Sequence, residues 1–476
     1  MVNQKGCKKF FLILILLFSC KGVAVKKICV MGLGYIGLPT SIVAAESGHD
    51  VIGFDINEQR VARINNADPV IKEPDIAPKL KAVLKTKRFV AKTTLEPADY
   101  FIIAVPTPFK DGKKADLSYV YHAARLISPF LEKGNTVILE STSPVGTTDD
   151  VAAVLQAETG LKKGEEFFVA HCPERVLPGK IFYEITHNSR IIGGINKASL
   201  NAARDFYKTF VKGEMFLTNA TTAEMVKLVE NSSRDVQIAF ANQVASMAYS
   251  IGLNPYEVIE LANKHPRVNV LNPSCGVGGH CIAVDPWFLI ESFPEHTNLL
   301  KTARWVNDIK PQEVIRKINK EVGMWRVKNM DKQCKVLLLG ATYKANVDDL
   351  RESPALHIAR LLSGMKNMDI LVCEPHVNNS DLERAAEVTA IDLEEGLAMS
   401  DVVVCLVAHN QFKYLPTIDF KNQKVMDFCG LFHQDRIATG QEQLFWPAST
   451  PDDIEEQDIT ASPFYKPTRT TRERFE

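Results

Sequence analysis

The sequence predicts an α/β protein with two doubly wound parallel-sheet domains joined by a helical middle domain. Three observations predict it. Short, nearly continuous apolar runs alternate with helical patterns from residue 27 to about 215, as expected when helices cover both faces of a parallel sheet. One long helical pattern then fills 221–252. Apolar strand runs return at "CKVLLLG", residues 334–340. At 476 residues the chain is too long for one hydrophobic core. The expected divisions are an extension over 1–26, a first α/β domain over 27–215, a helical domain over 216–325, a second α/β domain over 326–448 and a tail over 449–476.

The elements follow in order. "KKICVMG" reads as the first strand, "LPTSIVAAESG" as a helix closed by Gly48, and "DVIGFDI" as the second strand. "ADYFIIAVPTP" is a strand stopped by prolines, and "NTVILEST" and "EFFVAHCPE" continue the series. "TTAEMVKLVENSSRDVQIAFANQVASMAYSIG" is a helix that Gly252 ends. A further helix spans roughly 297–322. "MDILVCEP", "SDVVVCLVAHN" and "QKVMDFC" complete the second sheet. The tail has few apolar residues and many charges, which predicts disorder.

Composition excludes several function classes. The formal net charge is -1, so no basic field suggests nucleic acid. Ten cysteines are scattered without a CxxC pair or a Cys/His cluster, so no metal site is expected and the thiols read as reduced.

"VMGLGYIGLPT" places Gly32, Gly34 and Gly37 in G-x-G-x-x-G spacing after a strand and at the start of a helix, with Asp55 ending the next strand. Gly32 permits the tight turn, Gly34 lets backbone approach a pyrophosphate, and Gly37 lets helix pack on strand. Phosphate then faces the helix N-terminus. Asp55 would accept from the adenosine ribose, which favours NAD over NADP. Arg60 is placed to stack on adenine or to stand in solvent.

Lys227, Asn231 and Arg234 share one helix face, with Glu224 alongside, and Met225, Leu228, Val229 and Val236 lie on the other. By periodicity alone that stripe is a solvent face; beside a reactive centre it binds an alkoxide or a water. In "GVGGHCIAVDPWF", Cys281 sits among glycines with His280 before it and Asp285 four residues on. Read in isolation Cys281 is a buried core thiol. In company with a cofactor loop it is a nucleophile.

Together these segments resemble the nucleotide-sugar 6-dehydrogenases, the UDP-glucose/GDP-mannose dehydrogenase family. The resemblance runs over about 27–432 and rests on "GLGYIGLP", "VPTPF", "ESTSPVGTT", "CPERVLPG", "TAEMVKLVENSSRD", "GVGGHCIAVDP" and "DDLRESPA". "LANKHPRVNVLNPSCGVGGHCIAVDPWF" most resembles the branch acting on UDP-N-acetyl-D-mannosamine, with UDP-N-acetylglucosamine and UDP-glucose as alternatives. "NPSCG" departs from that branch's Pro-Gly-Pro-Gly run and brings Cys275 as a second thiol.

The resemblance implies an NAD domain, a UDP-sugar domain and a helical middle that forms a homodimer. It implies four-electron oxidation of a sugar C6 alcohol with two NAD, for surface polysaccharide of the enterobacterial common antigen type. Cys281 matches the nucleophile and Lys227 the active-site lysine, next to which a thiolate would be favoured. Asp285, Asn231 and Glu174 match groups around the reacting water. Arg175, Val176, Lys227, Asn231, Arg234, His265, Arg267, Gly278, Tyr343 and Lys344 match substrate contacts. Gly32, Gly34, Tyr35, Ile36, Gly37, Asp55, Arg60, Thr107, Thr142 and Arg351 match NAD contacts. A one-step hydroxyacid-type dehydrogenase is the remote alternative.

The N-terminus pulls against a cytoplasmic enzyme. "MVNQKGCKKFFLILILLFSCKG" has basic residues and then an apolar run, Phe10 to Cys20, like a secretory signal. The run is short for a bilayer span, and export would separate the enzyme from its cofactor supply. The expectation is a cytoplasmic protein, with 1–26 either a signal or a mis-called start and a membrane association the minority reading.

Overall fold

The computed structural model describes residues 24–330, 332–415, 420 and 423–432. The apolar run at the N-terminus and the polar tail lie outside the described residues. The chain divides into two compact units. One comprises residues up to 106 with 120–141 and 149–220; the other comprises 107–119, 142–148 and the chain from 221 onward.

The first unit holds an eight-stranded sheet: β1 (Lys27–Met31), β2 (Asp50–Phe54), β3 (Phe89–Lys92), β4 (Tyr100–Ile103), β5 (Thr136–Leu139), β6 (Phe168–His171), β7 (Arg190–Gly194) and β8 (Met215–Asn219). Its order is β8-β7-β6-β5-β4-β1-β2-β3. Strands β1 to β6 are parallel, whereas β7 pairs antiparallel with β6 and β8 runs parallel to β7. The sheet expected to be wholly parallel therefore carries a reversed edge, a common ending for large doubly wound sheets. Ile28, Val30, Ile102, Ile138 and Ala170 are buried in one core with Leu38 and Ile42 of α1 (Gly37–Glu46).

The second unit holds a five-stranded, all-parallel sheet: β9 (Cys334–Leu339), β10 (Met368–Cys373), β11 (Thr389–Ala390), β12 (Val402–Cys405) and β13 (Lys424–Asp427), in the order β11-β10-β9-β12-β13. In both sheets the first strand is interior and its neighbours leave on opposite sides. That is the topological switch point, where ligands bind beyond the strands' carboxyl ends.

The same unit contains two 31-residue helices, α2 (Ala220–Ser250) and α4 (Asn298–Lys328), with the short α3 (Asp285–Ser292) between them in sequence. Ala241, Ala245 and Ala248 of α2 are buried, and small residues admit close helix approach. Buried polar rungs fix the register. Asn242 Nδ2 donates to Asn307 Oδ1 at 3.0 Å, and Arg304 Nη1 reaches Asp235 Oδ1 at 2.6 Å.

Candidate active site

The glycine turn after β1 has the shape its sequence predicts. Gly32 has φ +92°, and a Cβ there would lie 2.6 Å from the Ala104 carbonyl oxygen. A Cβ at Gly37 would lie 1.8 Å from the Gly32 carbonyl oxygen, whereas one at Gly34 would enter open space. Two glycines thus serve packing and the third leaves a gap over which a pyrophosphate fits. Tyr35 and Ile36 lead into α1, whose first turn no side chain caps. Asp55 is buried; its Oδ2 accepts from Leu33 N at 3.0 Å and its Oδ1 from Asn57 N at 2.9 Å. The Arg60 side chain is part exposed and ion-paired. It pairs with Asp55 Oδ2 at 2.9 Å, so the carboxylate that would read a ribose is already oriented. Thr107 and Thr142 belong to the other unit, where Thr107 Oγ1 donates to the Thr142 carbonyl at 2.6 Å.

The second unit brings together Cys281, Asp285, Asn231 and Lys227. The four-residue spacing of Cys281 and Asp285 is one helical turn: Asp285 N donates to the Cys281 carbonyl at 2.8 Å, opening α3. Asp285 is 3 % exposed, and Asn231 Nδ2 from α2 donates to its Oδ2 at 2.5 Å. Burial raises the Asp285 carboxyl to about 6, against the Asn231 hydrogen bond and the Lys227 charge, which both lower it. Cys281 is open to solvent at its surface yet crowded by protein atoms. That desolvation, and then the Asp285 charge, push its thiol to about 11, and Lys227 only partly opposes them. Lys227 lowers the thiol as expected of a neighbouring cation, but burial weighs more. Two cations, Lys227 and Arg351, do not outweigh a crowded sulfur and a buried carboxylate four residues away.

The glycines before Cys281 are fixed by backbone and by an aromatic ring. A Cβ on Gly278 would sit 2.3 Å from the Glu352 carbonyl oxygen, and Gly279, at φ +81°, lies against the Tyr343 ring. Gly279 N donates to the Arg351 carbonyl at 3.3 Å, and the Arg351 guanidinium pairs with Asp349 at 2.6 Å. Tyr343, Lys344 and Arg351 thus belong to the stretch against which the cysteine loop packs. Cys275 does not face this site. It is buried, its Sγ donates to the Leu406 carbonyl at 3.7 Å, and burial raises it to about 12.

The remaining expected contacts are not gathered here. Arg234, His265 and Arg267 are exposed, and His265 Nδ1 accepts from Arg267 N at 3.3 Å. Leu228 is buried as the helix pattern implies, but Met225 and Val229 are exposed. Glu174 belongs to the first unit. Its Oε2 takes Arg190 Nη2 at 2.7 Å and its Oε1 accepts from Arg175 N at 2.7 Å. Arg175 Nη1 also donates to the Ser189 carbonyl at 3.3 Å, and Val176 packs on the sheet core.

Two groups, and the role of a third residue, escaped sequence reasoning. Behind Glu174, Arg190 lies over the Tyr207 ring and 4.0 Å from buried Glu140, which burial raises to about 7. Glu224 was visible only as a stripe member; it is buried, and both its oxygens accept from the 146–148 turn. Glu374 and His409 pair inside the second sheet, 35 residues apart in sequence. None carries a local signal, because each partner comes from another strand or loop. Among the described residues no His/Cys/Asp/Glu group is arranged to hold a metal, and no helix is long and apolar enough to cross a membrane.

The site can be set beside known proteins. Models of the UDP-glucose/GDP-mannose dehydrogenase family match in order: its NAD binding domain over residues 26–211, its central domain over 221–309 and its UDP binding domain over 337–434. The chain is 44% identical over 414 residues to the UDP-N-acetyl-D-mannosamine dehydrogenase of Escherichia coli, covering 85% of this chain and 99% of that one. It is 45% identical over 421 residues to an NDP-N-acetyl-D-galactosaminuronic acid dehydrogenase of Ralstonia nicotianae, covering 87% and 98%. Among solved structures, a UDP-D-ManNAc dehydrogenase of Pyrococcus horikoshii superposes with TM-score 0.79 at 39% identity, covering 86% of this chain and 96% of that one.

Proposed function

The chain belongs to the UDP-glucose/GDP-mannose dehydrogenase family, and from that premise we propose that it oxidises the C6 alcohol of UDP-N-acetyl-D-mannosamine to the uronate through a cysteine-bound intermediate. Membership makes it an NAD-dependent UDP-sugar dehydrogenase; the sugar and the covalent route are the proposal. Overall, one alcohol, two NAD and one water give one carboxylate, two NADH and three protons. NAD, when bound, takes hydride from C6 in each of the two oxidations.

The observation that carries the cysteine route is the turn that sets Cys281 and buried Asp285 on one side of α3, with Asn231 holding Asp285. With its carboxyl raised to about 6, Asp285 is a stronger base than an ordinary aspartate yet ionised at neutral pH. It accepts the alcohol proton through a water in the first oxidation. As Cys281 Sγ adds to the aldehyde carbon, the thiol proton leaves and the carbonyl oxygen becomes a thiohemiacetal oxygen. Lys227 and the Asn231 amide stabilise that oxygen. The second oxidation leaves a thioester, and water adds to its carbonyl and expels the thiol.

The choice of sugar rests on relatives named for UDP-N-acetyl-D-mannosamine. A second reading is favoured by the equally similar relative named for a galactosaminuronic acid. The product would supply surface polysaccharide. A purified-enzyme panel of the UDP-activated N-acetyl-mannosamine, N-acetyl-glucosamine, N-acetyl-galactosamine and glucose decides it. Two NADH per N-acetyl-mannosamine unit is expected, and Cys281→Ser is expected to release no free acid. One NADH per sugar, or full turnover by the serine variant, rules the mechanism out.

A further inference from the structure

The two sheets repeat one device at their switch points. In each, a glycine with positive φ follows the sheet's first strand: Gly32 at +92° and Gly340 at +89°. Gly32 N donates to the Phe54 carbonyl at 2.8 Å, and Gly340 N to the Cys373 carbonyl at 2.9 Å. An acid ends the next strand and takes the following loop's backbone. Asp55 accepts from Leu33 N and Asn57 N; Glu374 accepts from Ala341 N at 2.8 Å and His376 N at 2.9 Å.

The repetition breaks at the acid's last partner. Asp55 meets Arg60, whose side chain is 41% exposed. Glu374 meets His409, and both side chains are 0% exposed. Glu374 Oε2 also takes Thr342 N at 3.1 Å, so the carboxylate is filled by protein donors and sealed from a ribose hydroxyl. The His409 tautomer follows from its neighbours. Its Nδ1 accepts from Asn346 N at 3.0 Å, so the ring proton resides on Nε2 and is donated to Glu374 Oε2 at 3.0 Å. Thr342 Oγ1 donates to the Lys344 carbonyl at 2.9 Å, and Asn346 Oδ1 accepts from Asn410 N at 2.9 Å. His409 Nε2 also lies 3.3 Å from Thr342 Oγ1, so one imidazole touches both ends of the loop 341–346.

We infer that His409 and Glu374 are a positioning pair that sets the loop 341–346 for the nucleotide of the UDP-sugar, in place of the ribose-reading acid used by the first sheet. The loop lies at the carboxyl end of β9, where a nucleotide binds such sheets. It carries Lys344 exposed, and Tyr343 against Gly279 of the cysteine loop. The inference deepens the proposed reaction and rests on it for the identity of the ligand.

The test uses the full-length enzyme and replaces the two ring nitrogens one at a time. His409→Gln supplies a donor toward Glu374 but no acceptor for Asn346 N; His409→Asn does the reverse. One hydrogen bond of ordinary worth is about tenfold in affinity. Each variant is expected to raise the KM for UDP-sugar and the Kd for UDP by about tenfold, with the KM for NAD within about twofold. Thr342→Val, a milder change that removes the Lys344 tie, is expected to move the same two constants about threefold and remains readable if a His409 variant fails to fold. Folded variants with unchanged UDP affinity, or with NAD and UDP affinities weakened alike, would overturn the pair's role. A wild-type enzyme that turns over no UDP-sugar sinks the proposed reaction instead, and UDP affinity then still decides the brace.

Discussion

Cys281, the proposed nucleophile, sits where its protonated form is favoured. Its thiol stands at about 11, held up first by desolvation and next by Asp285, with Lys227 pulling the other way. The sign of each substitution follows. Removing the Asp285 charge lowers the thiol pKa and raises the thiolate fraction at pH 8; removing the Lys227 charge does the opposite. Alkylation of the ligand-free enzyme by iodoacetamide should rise about tenfold per pH unit between 8 and 10. At pH 8, Asp285→Asn is expected to react about threefold to tenfold faster than wild type, and Lys227→Met slower by a similar factor. Mass spectrometry of the Cys281 peptide gives the rate. A plateau already at pH 8 would show a resting thiolate.

At the scale of elements, the turn 142–148 is fastened to α2 by one carboxylate. Glu224 Oε2 accepts from Gly146 N at 2.6 Å, and its Oε1 accepts from Thr148 N at 2.7 Å and from Thr148 Oγ1. Lys227 follows three residues on, so the clamp fixes Thr142 and Thr107 relative to the helix that bears the lysine. Both oxygens accept, which an amide cannot reproduce. Glu224→Gln turns one acceptor into an NH2 facing an N–H, at a cost of about 2 kcal/mol. The expected result is a lower urea midpoint with an unchanged m-value and a kcat reduced more than either KM. A wild-type kcat in the folded variant would remove the clamp from the chemistry. This device marks where sequence reasoning stops. The strands were legible because a buried parallel strand is an uninterrupted apolar run, and the Gly32 turn because its three glycines are local. Cys281 and Asp285 were legible because one helical turn joins them. Glu174 and Arg190, or Glu374 and His409, meet only once strands are laid side by side, and no periodicity encodes that. The desolvation of the thiol is equally absent from the sequence: Lys227 is visible there, while the burial that opposes it is not.

For the whole molecule, the decisive feature is the outer face of α2. Met225, Val229, Phe240 and Met247 are exposed, and their spacings of four, eleven and seven residues place them on one side of the helix, with exposed Ile251 just past its end. The ridge is about 40 Å long at 1.5 Å per residue. Soluble chains seldom leave so extended an apolar patch uncovered, and a ridge on a single helix is self-complementary about a two-fold axis. The prediction is that a second copy of the chain covers it, as the family resemblance implies. The same helix bears Lys227 and Asn231, so a partner covering the ridge would bear on the site as well as on assembly. Light scattering with size-exclusion chromatography should give a dimer at micromolar concentration. Phe240→Glu, which places a charge mid-ridge, should yield monomer and weaken dimerisation by at least about a hundredfold, since an unpaired charge buried at an interface costs several kcal/mol. A monomeric wild type, or a Phe240→Glu variant that remains a dimer of undiminished affinity, would assign the ridge to another purpose. Loss of turnover in step with dissociation, restored by raising protein concentration, would place the Lys227 helix under the control of assembly.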